Sequence, residues 1–236
     1  MARSGRARTR QSTRSTHWLA LTAALALAAM LGFGSPATAA TTPAAASAAD
    51  RVSATEQSAT AAYWTPQRLA SATPFDSSVA ASSAATPADG PPPGTPTGSP
   101  FDGVPTVGAL FSTTGGKAHF CTASVVLSVT RNLLLTAAHC VNGGSSGSGY
   151  RTNLAFIPGY HDGIAPFGIW VARSILVANG WQRSSDPNLD FAFITVSANA
   201  QGRQIQDLTG GNILGVDRGY QHTVTVIGTR TPPRNR

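Results

Sequence analysis

One histidine and one aspartate in this sequence could act as a general base and the carboxylate that orients it. His139 follows the apolar run 133–135 through small residues that let the chain turn tightly. Asp190 comes 51 positions later, immediately before the apolar stretch 191–194. A carboxylate beside an imidazole accepts its N–H, fixes the tautomer and stabilises the cation formed on proton uptake. We therefore predict His139 as general base and Asp190 as orienting acid, with Asp186, in a turn-like Ser-Ser-Asp-Pro, as a weaker competitor.

The first forty residues have the pattern of a cleavable secretion signal. Five arginines and no acid precede an apolar segment at 18–33, and Ala37-Thr38-Ala39 supplies a small-x-small cleavage site. The apolar segment is shorter than the roughly 20 residues that a membrane span needs. We expect residues 1–40 to be a signal peptide, and the mature protein to be secreted, extracellular and unattached to a membrane.

The two cysteines, Cys121 and Cys140, both belong to the predicted mature chain. An even number of cysteines in an oxidising compartment predicts one disulfide, which would fix the turn carrying His139 to the strand before it. A structural zinc site would need four ligands at short spacings, and the sequence has neither C-x-x-C nor H-E-x-x-H. We predict no metal and no cofactor.

The mature chain divides by composition into a linker, a domain and a short tail. In residues 41–104, 43 of the 64 residues are Ala, Ser, Thr or Pro. Such a segment buries too little apolar surface to offset its ordering entropy, which predicts a disordered, low-complexity pro-region or linker. The patch 63–69, with two aromatics, departs from this composition and could be a stray aromatic pair or a docking contact. Residues 229–236 form a basic, proline-rich tail.

Residues 105–228 have the composition of a folded domain made of short strands. Segments rich in β-branched and aromatic residues alternate with polar, glycine-containing loops. The predicted strands are 106–111, 121–129, 132–136, 154–158, 169–176, 191–196 and 223–227. No stretch beyond the signal shows sustained helical periodicity. The pattern predicts an all-β antiparallel barrel or sandwich.

Several of these motifs resemble one known family. Thr-Ala-Ala-His-Cys ending at Cys140, the cysteine that opens the preceding strand, and Asp-Phe-Ala starting at Asp190 resemble the secreted bacterial trypsin/chymotrypsin-like serine endopeptidases. Segments 156–160, 166–170 and 180–181 are similar to the glutamyl endopeptidase-like branch, so the resemblance covers roughly 104–227. It implies a chymotrypsin-like double antiparallel β-barrel, with the first barrel present, the second incomplete and a disordered pro-region before them.

The serine that this resemblance requires is missing from the sequence. In the family the order is His, Asp, Ser, and the serine lies in a Gly-x-Ser-Gly-Gly setting whose backbone N–H groups form the oxyanion hole. After Asp190 the only serine is Ser197, which has no glycine on either side and fits the end of a strand. We therefore expect a chain truncated before its nucleophile and inactive as written.

The resemblance implies a monomeric, secreted serine endopeptidase by descent that acts on protein or peptide substrates. The alternative is a non-catalytic secreted binding protein derived from a protease fold. A metal-dependent hydrolase built on His139 and Asp190 is disfavoured because no second histidine stands at ligand spacing. Nucleic acid is also excluded as a partner. Beyond the signal the chain has twelve basic and ten acidic residues, so its net charge is small, and the basic residues are scattered along the sequence.

Overall fold

Eight strands dominate the parts of the chain that the computed structural model describes, residues 49–75, 98–219 and 221–229. The predicted signal peptide, residues 41–48 and 76–97 of the linker, Tyr220 and all but the first residue of the tail lie outside these ranges. The strands are β1 (Asp50–Arg51), β2 (Thr73–Pro74), β3 (Val107–Thr114), β4 (Lys117–Val126), β5 (Leu133–Thr136), β6 (Thr152–Pro158), β7 (Trp170–Val177) and β8 (Ala192–Val196).

Strands β3 to β8 form a closed antiparallel barrel. The pairing runs β3–β4–β5–β8–β7–β6 and returns from β6 to β3. Each of these six strands has two neighbours around the ring, and β1 and β2 pair with the parts of β7 and β4 that extend beyond those neighbours. The prediction of a mostly β fold with an antiparallel barrel is confirmed, and six of the seven predicted strands form within a few residues of their expected bounds.

Local sequence explains the tightest turn and the filling of the barrel. Gly115 and Gly116 join β3 to β4 with φ values of 56° and 77°, the left-handed backbone that a two-residue hairpin turn needs. Alternate residues of β8 are buried, as expected for a strand with one face on a core. The larger buried cluster takes side chains from all six barrel strands, among them Leu110, Val125, Leu134, Phe156, Ile175 and Ile194.

The prediction of a disordered segment before the barrel is wrong for residues 49–75. This stretch forms β1, helix α1 (Ala54–Tyr63), helix α2 (Pro66–Ser71) and β2, and it packs on the barrel. The average composition hid two strong anchors, Trp64 and Leu69, which are buried in a second apolar cluster with Phe111 and Ile157. The patch 63–69 is therefore a docking contact. A few large side chains supply the apolar burial that the Ala/Ser/Thr background lacks.

The predicted strand at 223–227 is also wrong, since this segment has no regular structure. Val224 and Val226 are exposed, and no described strand pairs with them. The local sequence favours a strand, but each of the six barrel strands already has two strand neighbours within the barrel. Two further short helices, α3 (Asn179–Ser184) and α4 (Gln206–Thr209), lie in connections outside the barrel strands. Among the described residues, no helix is long and apolar enough to cross a membrane.

Candidate active site

His139 and Asp190 are brought together by the pairing of β5 with β8. Thr136, the last residue of β5, lies opposite Ala192, the first residue of β8. The chain leaves β5 through a short 3-10 turn that carries His139, and it enters β8 from another 3-10 turn that ends just before Asp190. Because antiparallel partners place the end of one strand beside the start of the other, the two side chains meet at one end of the barrel.

Both oxygens of the Asp190 carboxylate contact His139. Oδ2 lies 2.7 Å from the ring Nδ1, and Oδ1 accepts the backbone N–H of His139 at 2.8 Å. An ionised carboxylate only accepts hydrogen bonds, so Nδ1 carries the proton and the lone pair of the neutral ring is left on Nε2. The two side chains are about one-third exposed, at 30% and 27%. This is the geometry in which an imidazole serves as a general base through Nε2.

A disulfide holds the turn that carries the histidine. Cys140 is bonded to Cys121 of β4, with a Cα–Cα distance of 6.1 Å. On the neighbouring strand, the Thr136 hydroxyl donates to the carbonyl of Thr122 at 2.8 Å. His139 is therefore flanked by a covalent and a hydrogen-bonded link to consecutive residues of β4, which restricts where its ring can move.

Asp186 and Ser197 are both engaged elsewhere. Oδ1 of Asp186 accepts the backbone N–H of Asn188 at 3.0 Å and caps the 3-10 turn at 187–189. Ser197 follows the far end of β8, and its hydroxyl donates to the side-chain oxygen of Gln57 in α1. Since a strand rises about 3.3 Å per residue, Ser197 lies roughly 20 Å along the chain direction from Asp190. The structure places neither residue with His139.

A group of possible metal ligands occurs in the described part of the chain, but the disulfide consumes two of them. Ligand atoms of Cys121, His139 and Cys140 lie within 4.8 Å of one another. Metal binding by cysteine requires a thiolate, and both sulfurs are bonded to each other. One imidazole is left, and a single nitrogen is too few for a zinc site.

Three residues that the sequence did not single out form a chain of contacts beside His139. The ring of Phe75 is stacked on the imidazole, with centroids 6.0 Å apart and planes 28° apart. The guanidinium carbon of Arg151 lies 4.6 Å from the centre of the Phe75 ring, and Nη2 donates to the His139 carbonyl at 3.4 Å. His119 meets the edge of Phe75 at 5.4 Å. No motif pointed to them; the one available signal was an aromatic residue inside a small-residue segment.

Burial and neighbouring cations alter the titration of two of these groups. Burial lowers the pKa of His119, and the positive charges of Arg151 and Lys117 lower it further. Burial also lowers the pKa of the Arg151 guanidinium, which still remains a cation at neutral pH. The environment beside His139 thus holds a permanent positive charge and a second histidine that favours its neutral form.

Comparison with known proteins shows that about half of this chain is similar to solved structures of proteases. No protein-family model and no curated protein matches the chain. It is similar to the protease Anisep from Arthrobacter nicotinovorans, at 28% identity over 50% of this chain and 53% of that one, with a TM-score of 0.47. The thermostable serine protease AL20 from an extremophilic microorganism gives 26% identity, coverages of 49% and 53%, and a TM-score of 0.46. A Glu endopeptidase solved with MPD gives 23% identity, coverages of 45% and 44%, and a TM-score of 0.35.

The chain therefore spans about half the length of the solved structures it matches. All three of these structures are named as proteases, and AL20 is named as a serine protease.

Proposed function

We propose that this chain carries the base-and-carboxylate half of a secreted, trypsin-like serine endopeptidase, with His139 as general base and Asp190 as its orienting acid. The contact that supports the proposal is the 2.7 Å approach of Asp190 Oδ2 to His139 Nδ1. It leaves Nε2 as the proton acceptor, the atom that would take the proton of a nucleophilic hydroxyl during attack on a peptide carbonyl.

We also propose that this chain has no peptidase activity of its own. A general base needs a hydroxyl within reach to generate the attacking alkoxide, and Ser197, the one serine that follows Asp190 in the sequence, is held by Gln57 beyond the far end of β8. Secretion belongs to the same proposal, supported by the N-terminal sequence pattern and by a disulfide of the kind that persists outside the cytosol. Its substrate class is protein or peptide.

The pairing of His139 with Asp190 is tested by proton NMR of the full chain with Asp190→Asn and Asp186→Asn. A ring N–H held by a carboxylate gives a slowly exchanging, low-field proton signal, because a charge-assisted hydrogen bond is short and strong. We expect Asp190→Asn to abolish the His139 signal. Asp186→Asn should retain it, since an asparagine still caps the turn at 187–189.

The absence of a nucleophile is tested with a serine-directed phosphonylating probe followed by peptide mass spectrometry. We expect no labelling of the purified chain. Stoichiometric labelling at Ser197 would overturn the assignment of the chain as inactive. Survival of the low-field signal in Asp190→Asn would refute the role of that residue.

A further inference from the structure

Three side chains at the candidate active site carry the donor atoms of a soft-metal site, although two of them are bonded to each other. The sulfurs of Cys121 and Cys140 and a ring nitrogen of His139 lie within 4.8 Å of one another. In the described part of the chain, this is the one group of three or more histidine, cysteine or acidic side chains that meet so closely. The disulfide keeps both sulfurs from binding a metal ion for as long as it persists.

The spacing of these donors suits a tetrahedral ion once the disulfide is open. With metal–sulfur bonds of about 2.3 Å and metal–nitrogen bonds of about 2.0–2.1 Å, neighbouring donors in a zinc site are about 3.6–3.8 Å apart. The ring nitrogen of His139 therefore has to approach the sulfurs by at most about 1 Å. The sulfurs separate by rotation of the two cysteine side chains, whose Cα atoms are 6.1 Å apart. The backbone can stay in place.

The imidazole is already oriented in the way that a metal ligand requires. A metal-bound histidine usually donates its other ring N–H to a carboxylate, which fixes the ring and strengthens the ligating nitrogen. Nδ1 of His139 has this contact with Oδ2 of Asp190 at 2.7 Å, and Oδ1 accepts the backbone N–H of His139 at 2.8 Å. Nε2 is therefore the nitrogen that would bind the ion, with Asp190 as its supporting carboxylate.

The charge around the site favours an ion held by sulfur. Nη2 of Arg151 donates to the His139 carbonyl at 3.4 Å, so a permanent cation lies beside the site. A doubly charged ion bound by imidazole alone would add its whole charge next to that guanidinium. Two thiolates cancel the charge of the ion, so zinc on Cys121, Cys140 and His139 adds no net charge there. Thiolate and imidazole together are also ligands that select zinc over calcium or magnesium.

We propose that the reduced form of this chain binds one Zn²⁺ ion through Cys121 Sγ, Cys140 Sγ and His139 Nε2, with a water in the fourth position. A dithiol opens the disulfide: its thiolate attacks the sulfur of Cys121, the less buried cysteine, and Cys140 leaves as a thiolate. The second thiol of the reductant then displaces Cys121, so two electrons and two protons pass to the cysteines and the reductant becomes a disulfide. Zinc releases the two thiol protons as it binds.

The metal would block the base and is confined to the reduced state. Its bond to Nε2 uses the lone pair that accepts a proton in the proposed function, and this consequence alone rests on the proposed function. The binding site itself needs only the two sulfurs and the oriented ring. Opening the disulfide should leave the domain folded, because the loop it closes contributes less than the usual stability of a domain.

The test is a titration of the full chain with Co²⁺ alone, which gives tetrahedral thiolate sites a visible spectrum. The chain is reduced with dithiothreitol without oxygen and then separated from the reductant. We expect one equivalent of Co²⁺ to produce visible d–d bands and a thiolate-to-cobalt charge-transfer band, and Zn²⁺ to abolish both. The oxidised chain should give neither band.

Four variants of the reduced chain separate a built site from binding by the cysteines alone. Removing the supporting carboxylate in Asp190→Asn should lower the Co²⁺ affinity about 10–100-fold, and removing the ligand in His139→Asn should lower it at least as much. Asp186→Asn and His119→Asn are the matched controls, since Asp186 caps a turn and His119 lies outside the donor group, and both should bind as the parent chain does.

An unchanged Co²⁺ affinity in His139→Asn would overturn the site, because two cysteines in an unfolded chain would bind equally well without the histidine. Absence of the charge-transfer band in the reduced parent chain would overturn it as well. The proposed function is tested separately, on the low-field proton signal of the oxidised chain. The cobalt spectrum requires no working base, so the two proposals fail independently.

Discussion

Replacing Trp64 by alanine tests whether residues 49–75 belong to the cooperative fold. The side chain is 4% exposed, its ring contacts those of Tyr63 and Phe111, and its N–H donates to Asn153. Truncating a buried tryptophan removes apolar burial and leaves a cavity, which together cost about 3–5 kcal/mol. Since a domain is stable by about 5–15 kcal/mol in all, the loss should be large.

A graded series separates packing from hydrogen bonding. Trp64→Phe keeps an aromatic ring in the cluster and loses the indole N–H, so it should cost less than Trp64→Ala by an amount that reflects the retained burial. A lost hydrogen bond accounts for about 1 kcal/mol of the Trp64→Phe effect. Gln67→Ala is the matched control, because Gln67 is exposed on α2 in the same segment and surface substitutions stay within about 0.5 kcal/mol.

The assay is equilibrium unfolding in guanidinium chloride, followed by far-UV circular dichroism and by tryptophan fluorescence. We expect the midpoint to fall strongly for Trp64→Ala, moderately for Trp64→Phe and hardly at all for Gln67→Ala. A free energy of unfolding for Trp64→Ala within about 0.5 kcal/mol of that of the parent chain would refute the reasoning. So would a protease-sensitive segment 49–75 on a barrel of unchanged stability, since the segment would then unfold separately.

The disulfide and a histidine give two further predictions. The double variant Cys121→Ala/Cys140→Ala opens a loop between residues 19 apart, so its free energy of unfolding should fall by about 3 kcal/mol in the same assay, and an unchanged midpoint would argue against the bridge. The second concerns His119, whose pKa is lowered in the folded state by burial and by Arg151 and Lys117. The unfolded chain then binds the proton first, so the stability that His119 contributes is present above about pH 6.5 and is lost below it. The difference in unfolding free energy between the parent and His119→Gln should change with pH across that range, and a constant difference would contradict the assigned cause.

The barrel and the histidine–aspartate pair could be predicted because their signals are local and strong. Short runs of β-branched and aromatic residues marked six strands, and a barrel needs only that such strands close on one another. The contact between His139 and Asp190 follows from which two strands they flank, since β5 and β8 pair. The sequence did not predict that both oxygens of Asp190 contact His139, one at the ring and one at the backbone N–H. That arrangement depends on the geometry of the two turns.

The segment before the barrel shows why composition misleads. An average over 64 residues is dominated by Ala, Ser, Thr and Pro, whereas order in 49–75 comes from a few positions. Local signals were present: Ser53 and Glu56 have capping-box spacing, and Thr65-Pro66 is a typical helix start. The strand predicted at 223–227 failed for the opposite reason. Its propensity was good, but whether an edge is available is a property of the whole barrel.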